Sequence, residues 1–254
     1  FYSPYKQALG KVTYERIRQQ LINYEYYHGK QHIDPNTGLL VHARDLPRPD
    51  GLDYDPTRYT TNLFKVFIQK KSQWQFGGNH SVHCKPKQVD PPEKQALPEY
   101  KPTPAQKKEN DIANAKEELL RKLWKDNKMR IKLLEASRDR LIGGQVACKI
   151  AFNPNTGKLH WIFRPDYEVI PVYSDDDFED LIAVHFLHER QNNEDEVTYF
   201  KQTYSLENGT CYLEEAIYDK ALQKIETITP KSDMMIDFIP VVLIPVSQLS
   251  NRDE

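Results

Sequence analysis

The histidines and cysteine just after position 79 are the first candidates for metal chemistry. His80, His83 and Cys84 are close enough in sequence to supply three ligands to one ion. A structural zinc site takes four protein ligands, usually with a second tight pair elsewhere, and the sequence has no CxxC pair. A polar loop that follows a helix is therefore the favoured interpretation of this cluster.

A crowded acidic turn is the second candidate, because carboxylate oxygens can bind a divalent cation. The turn lacks the alternating ligand spacing and the final glutamate of a calcium loop, which favours solvated side chains. Its members are Asp175, Asp176, Asp177, Glu179 and Asp180. We predict no catalytic residue, no metal and no cofactor. A metal-dependent hydrolase that uses His80, His83 and this acidic turn remains the alternative hypothesis.

Glycine motifs that hold a nucleotide or a catalytic serine are absent from the sequence. It contains no GxSxG, GxGxxG or GxxxxGK[ST] pattern. Gly143 and Gly144 instead indicate a structural turn. A helix that ends at Ile142 needs a residue with positive φ before the chain can turn tightly into a strand.

Two groups of side chains could contact a neighbouring subunit. The tyrosines cover more than one helix face, and tyrosine is enriched at interfaces, although burial within the domain is the favoured interpretation. The arginines flank Asp139, and exposed ion pairs, which are common and contribute only ~0–1 kcal/mol, are the favoured interpretation for them. The candidate interface residues are Tyr24, Tyr26, Tyr27, Arg138 and Arg140.

The composition limits the classes of function. The 254 residues suffice for one large domain or two small ones. Lys and Arg total 35 against 37 Asp and Glu, and this net charge of −2 disfavours a broad grip on nucleic acid. No apolar run approaches the ~20 residues that cross a bilayer. Three scattered cysteines fit a reducing compartment better than a disulfide framework.

The elements that must position these residues begin with helices. Apolar spacing predicts a helix from about Val12 to Tyr27, with Val12, Ile17, Leu21 and Tyr24 on one face. Residues 31–60 are predicted to be irregular. A second helix is expected from Asn62 to Phe76, with Thr60 or Thr61 as its cap. Its predicted apolar face consists of Leu63, Phe64, Phe67, Ile68 and Trp74.

A proline-rich segment, 85–104, separates these helices from the rest of the chain and is typical of an extended connection. Thr103, Pro104 and Gln106 form a capping-box pattern that opens a long helix. Asp126 and Asn127 could interrupt this helix before it ends at the glycine pair.

After the glycines, apolar residues alternate, which predicts strands. Leu181 to Leu187 is apolar on both faces and is expected to be a covered, central strand. Asn208-Gly209 is a strong hairpin signal. The remaining predicted strands are 146–152, 159–163, 167–173 with Pro171 at an edge, 197–204, 211–217 and 236–244. The predicted class is α+β, with N-terminal helices followed by a mostly antiparallel, hairpin-rich sheet.

Read together in order, several motifs resemble those of tailed-bacteriophage portal proteins, the head-to-tail connectors of these phages. The most specific motif is the stretch 138–146, RDRLIGGQV, followed by Lys149-Ile150. The other motifs are Tyr26-Tyr27-His28-Gly29-Lys30 with Ile33, the helix from Asn62 to Gly77, Arg164-Pro165, Glu168 to Tyr173, and Ile239-Pro240-Val241-Val242.

This resemblance implies the wing region of a portal subunit. It divides the chain into an N-terminal helical region (residues 1–84), the proline-rich connection (residues 85–104), and a long helix with an antiparallel sheet (residues 105–254). The stem, clip and crown of the family have no counterpart before Glu254, where the sequence stops. Asp237-Phe238 also replaces a glycine that often precedes the last motif.

The resemblance further implies a structural, non-enzymatic role. Such subunits form a ring, usually twelve-fold, at one capsid vertex, and double-stranded DNA passes through it during packaging and ejection. Expected partners are further copies of the chain, the terminase large subunit, capsid and scaffolding proteins, and neck or adaptor proteins, with no membrane involved. The expected location is the virion, and the host cytoplasm during assembly. Another virion connector or tail component with a similar module is a further alternative.

Overall fold

The computed structural model describes residues 10–78, 80–86, 101–177, 180–191 and 197–246. The helices are α1 (Lys11–Tyr27), α2 (Leu63–Phe76), α3 (Pro104–Asp126) and α4 (Met129–Gly143). The strands are β1 (His32–Ile33), β2 (Leu40–Val41), β3 (Gln145–Asn153), β4 (Lys158–Pro165), β5 (Val169–Tyr173), β6 (Leu181–Gln191), β7 (Val197–Glu207), β8 (Thr210–Tyr218), β9 (Lys224–Asp233) and β10 (Val241–Pro245). The predicted α+β class is confirmed.

Local side-chain hydrogen bonds fix where the helices begin. The capping box at Thr103 and Gln106 forms as predicted, with each side chain bonded to the other residue's backbone amide. The cap of α2 was predicted wrongly. It is Asn62, whose Oδ1 accepts a hydrogen bond from the Lys65 amide at 2.9 Å, rather than Thr60 or Thr61.

The predicted interruption between α3 and α4 is confirmed, and it also protects a sheet edge. Lys128 adopts a positive φ of 51°, which separates the two helices. The neighbouring Asn127 side chain is buried against the outer edge of β4. Its Oδ1 accepts from the Trp161 amide at 2.9 Å, and its Nδ2 donates to the Leu159 carbonyl at 3.0 Å. Asn127 therefore pairs backbone groups that an edge strand would otherwise leave open.

The longer strands form two antiparallel sheets, in the orders β10-β3-β4 and β5-β6-β7-β8-β9. Pro171 lies on the edge strand β5, and β6 is central with a strand on either side, both as predicted. The expectation that β6 is covered on both faces is not met, because the Ile182 side chain is 39% exposed. The Asn208-Gly209 hairpin is also confirmed, with φ values of 52° and 76° at its two central residues.

The main core lies between these two sheets. Ala147 of β3 and Val241 of β10 pack towards the inner side of the five-stranded sheet. The buried residues that line that side are Val169, Val184, Phe186, Tyr204 and Cys211. α4 packs beside this sandwich, where it contacts β3, β4, α1 and α2. α4 is thus the element that joins the N-terminal helices to the strands.

Three strand predictions were wrong. The final strand is Val241–Pro245, shorter than the predicted 236–244. The Ile236 carbonyl accepts a hydrogen bond from the Cys211 amide of β8, whereas the Pro240 carbonyl accepts one from the Ile150 amide of β3. Residues 236–240 therefore cross from one sheet to the other and do not pair with a single strand. Residues 166–168 form a 3-10 turn before β5, and β9 was not predicted at all. The region 31–60 contains the short hairpin β1–β2. Most of the proline-rich segment and Glu179 of the acidic turn lie outside the described residues.

Candidate functional site

The glycine pair ends α4 and starts the sheet. Gly143 is still helical, one residue beyond the predicted end at Ile142. The positive φ of 92° falls on Gly144, whose amide donates to the Arg140 carbonyl at 2.9 Å. The Gly144 carbonyl accepts from the Val246 amide at 2.8 Å, which ties the turn to the chain just after β10.

Polar side chains dock α1 onto this turn, in contrast to the predicted apolar face. Val12, the first residue of that predicted face, is 81% exposed. The docking residues recur at helical spacing, namely Arg16, Gln20, Asn23 and Tyr24. Gln20 donates to the Gly143 carbonyl and Asn23 to the Ile142 carbonyl, both at 3.1 Å. These two amides satisfy carbonyls that the end of α4 would otherwise leave free.

Asp166, at the start of the 3-10 turn, is the centre of this junction. Its carboxylate is buried and accepts a hydrogen bond from Arg16 at 2.5 Å. Gln20 and Gln145 also donate to it, and Arg16 donates in addition to the Val169 carbonyl at 2.9 Å. Burial raises the pKa of Asp166, and the Arg16 charge and these hydrogen bonds oppose that rise. A fully bonded, buried carboxylate thus joins α1 to the sheets.

Tyr24 completes the junction within the chain. Its hydroxyl donates to Asp139 of α4 at 2.8 Å, and its ring meets the Tyr167 ring edge-on at a centroid distance of 5.3 Å. Burial raises the pKa of Tyr24, and the Asp139 carboxylate raises it further. Of the candidate interface residues, Tyr24 is therefore engaged inside the subunit.

The two remaining tyrosines lie where α1 meets the start of α2. Tyr27 has the Lys65 ammonium over its ring at 5.7 Å, and Asn62 donates to the carbonyls of both Tyr26 and Tyr27. The Tyr26 side chain is 40% exposed and lines an open groove of about 810 Å³ beneath the β1–β2 hairpin. Tyr26 is thus available to another molecule.

Arg138 and Arg140 do not form the predicted surface ion pairs. Among the residues that the structure describes, neither guanidinium pairs with a carboxylate, and Asp139 bonds Tyr24 instead. Both arginines are half-buried, and their Nε atoms are buried without a hydrogen-bond partner.

The candidate metal ligands are not brought together. The His80 ring nitrogens lie 3.1 Å from the Gly78 and Gln75 carbonyls, and His83 Nδ1 lies 3.4 Å from Glu117. Within the described stretches of the chain, no three His, Cys, Asp or Glu side chains form a group that could hold a metal ion.

α2 presents most of its predicted apolar face to solvent. Leu63, Phe64, Phe67 and Trp74 are exposed, whereas Ile68 and Ser72 are buried. We call the outward-facing set Leu63, Val66, Phe67 and Trp74 the α2 stripe. Trp74 is 84% exposed and Phe67 is 68% exposed. Large exposed apolar side chains that share one helix face usually mark an interaction surface.

The described chain therefore combines a tightly bonded internal junction with an open apolar helix, as expected of a structural building block. The sequence matches the family model of the phage portal protein, SPP1 Gp6-like, over residues 11–253. The chain belongs to this family, which confirms the resemblance noted from its motifs. A search among curated proteins finds no match.

Membership of this family defines a general role. The family is structural and non-enzymatic, and it implies a ring oligomer in the phage head and a location in the virion. Among the residues that the structure covers, no helix is both long enough and apolar enough to span a membrane.

Proposed function

We propose that the chain forms the wing region of a portal subunit, and that the assembled, usually twelve-fold ring is the passage for double-stranded DNA. The family match over residues 11–253 is the observation that carries this proposal. In the proposed division, residues 1–84 and residues 105–254 belong to one wing, with residues 85–104 as their connection. The packing of α2 and α1 on α4 supports their treatment as one unit.

DNA passage is compatible with the charge of the chain. A conduit must let a polyanion slide, whereas a strongly basic surface would hold DNA through the release of counterions. The net charge of −2 avoids such retention. We propose that the ring also provides the docking platform for the terminase large subunit, capsid and scaffolding proteins, and neck or adaptor proteins. Assembly would take place in the host cytoplasm.

Subunit contacts in the ring are proposed to include Tyr26, Arg138 and Arg140. Tyr26 is partly exposed beside an open groove, and both arginines are half-buried and pair with no carboxylate among the described residues. A carboxylate on the neighbouring subunit would supply the ion-pair partner that these guanidinium groups lack among the described residues. Tyr24 and Tyr27 support this surface from within the subunit.

The test is the oligomeric state of the protein produced from its own open reading frame. We expect ring-shaped particles in electron micrographs and a single high-mass assembly in native mass spectrometry. A protein that stays monomeric at the highest attainable concentration would contradict the proposal. Ring formation that persists after chelation of divalent metals would further separate this role from the metal-dependent hypothesis.

A further inference from the structure

The α2 stripe is an exposed apolar feature that the internal packing of the described residues does not cover. α2 carries three lysines and no acidic residue. Lys65 lies over the Tyr27 ring, but Lys70 and Lys71 are exposed and form no ion pair with any residue that the structure describes. The outer surface of α2 is thus apolar, aromatic and positively charged.

A complementary surface lies in the loop that precedes α2. Asp50, Asp53 and Asp55 are exposed, and none of them pairs with a cation in the described residues. Two exposed aromatic side chains, Tyr54 and Tyr59, lie among them. We call residues 50–59 the acidic loop. The two exposed lysines of α2, Lys70 and Lys71, therefore have an oppositely charged counterpart in the three aspartates of the acidic loop.

A single arginine holds the acidic loop in shape. The Arg58 guanidinium donates to the carbonyls of Ala43, Leu46 and Pro47, and the Pro47 bond measures 2.8 Å. Arg58 therefore closes the base of the loop and does not neutralise the aspartates at its tip. A preorganised loop loses less conformational entropy when it binds.

We propose that, in the assembled ring, the acidic loop of one subunit packs on the α2 stripe of the adjacent subunit. A ring subunit needs two different faces that fit each other, and these two surfaces match in charge and in aromatic content. This inference rests on the proposed function, because the occupant of the stripe is a second copy of the chain.

The size of the stripe fits a portion of such an interface. An aromatic side chain buries about 150–250 Å², so Phe67 and Trp74 with their neighbours offer on the order of 500 Å². A stable interface buries about 800 Å² per partner. A second depression, separate from the groove beneath the β1–β2 hairpin, lies at the start of α2 and is lined by Tyr26, Leu63 and Phe64, so it adds to the apolar surface at that end of the helix.

The test exchanges charges between the two surfaces in the protein made from its own open reading frame. One variant carries Lys70→Glu with Lys71→Glu, a second carries Asp53→Lys with Asp55→Lys, and a third combines all four. Because like charges face each other in the first two, we expect each to raise the protein concentration needed for ring assembly by about tenfold or more. We expect the combined variant to assemble within about threefold of the wild type.

Native mass spectrometry and sedimentation velocity measure assembly, and circular dichroism checks that each variant is folded. Lys220→Glu, on an exposed hairpin, is the matched control and should assemble as the wild type does. Two results would overturn the inference while leaving the proposed function intact. In one, wild-type rings form and both double variants also assemble normally. In the other, the combined variant fails to recover. If the wild type forms no ring, the proposed function and the inference both fail.

Discussion

The helices α1 and α2 both pack against α4, but they differ in how many of their large side chains have partners within the described chain. α1 uses polar side chains, and each of its docking residues Arg16, Gln20, Asn23 and Tyr24 has a partner within the chain. α2 buries Ile68 and Ser72, accepts a hydrogen bond on Gln75 from the Ser137 hydroxyl of α4 at 2.8 Å, and leaves Phe67 and Trp74 in solvent. The difference separates a helix that completes the subunit from a helix that we propose to serve the assembly.

The largest loss of unfolding free energy is expected at the ion pair between Arg16 and Asp166, which anchors α1. Arg16→Met would leave the Asp166 carboxylate buried without its cation. Loss of one partner of a buried pair costs about 3–5 kcal/mol, and the amides of Gln20 and Gln145 keep the expected loss near the lower end. Urea unfolding at pH 7 measures this loss. Arg18→Met, which removes an exposed pair with Glu15 at 3.5 Å, is the control and should change stability by less than about 0.5 kcal/mol.

The pH dependence of the same variant tests whether a buried charge is the cause. Burial raises the pKa of Asp166 above its usual 3.8, so the folded state takes up a proton at a higher pH than the unfolded state does. Removal of Arg16 raises this folded-state pKa further. The stability gap between wild type and Arg16→Met should therefore narrow as the pH falls from 7 towards 4. A gap that stays constant over this range would mean that lost packing, not charge, weakens the variant.

A smaller loss is expected at the second anchor of α1. Tyr24→Phe removes the hydroxyl that donates to Asp139, while the ring contact with Tyr167 stays. An unsatisfied, partly buried acceptor costs about 1–2 kcal/mol. Tyr26→Phe changes an exposed tyrosine on the same helix and should leave the unfolding free energy unchanged. Equal losses of unfolding free energy in Tyr24→Phe and Tyr26→Phe would contradict the role of the Tyr24 hydroxyl as an internal anchor.

The smallest effect on the isolated subunit is expected in the α2 stripe. Phe67→Ala should change the unfolding free energy by less than about 0.5 kcal/mol, because the side chain is mostly in solvent. Ile68→Ala, one position along, should cost about 2–4 kcal/mol because Ile68 is buried. Chemical unfolding of monomeric protein compares the two. A large loss of unfolding free energy for Phe67→Ala would show that the α2 stripe packs within the subunit and is not free for a neighbour.

Features set by neighbouring residues could be predicted from the sequence. The capping box at Thr103 and the Asn208-Gly209 hairpin depend on local hydrogen bonds and on positive φ, so their residue types reveal them. The alternation after Gly144 likewise predicted most of the strands. β9 was missed because nearly all of it is exposed, so its sequence carries no buried period.

The docking faces of the helices could not be predicted in the same way. A polar stripe such as that of α1 normally indicates solvent, and only the fold brings Asp166 to Arg16, 150 residues away along the chain. The apolar face predicted for α2 has the same limit, because most of it is exposed in the structure. Periodicity shows that a face is apolar, but it does not show whether the covering surface belongs to the same chain.

The most direct test of the account is a cryo-electron microscopy reconstruction of the assembled particle. We predict a closed ring in which the Arg16–Asp166 junction lies inside each subunit, and in which the neighbouring subunit covers Phe67 and Trp74. A ring in which both aromatic side chains remain in solvent, or a particle without rotational symmetry, would contradict the account.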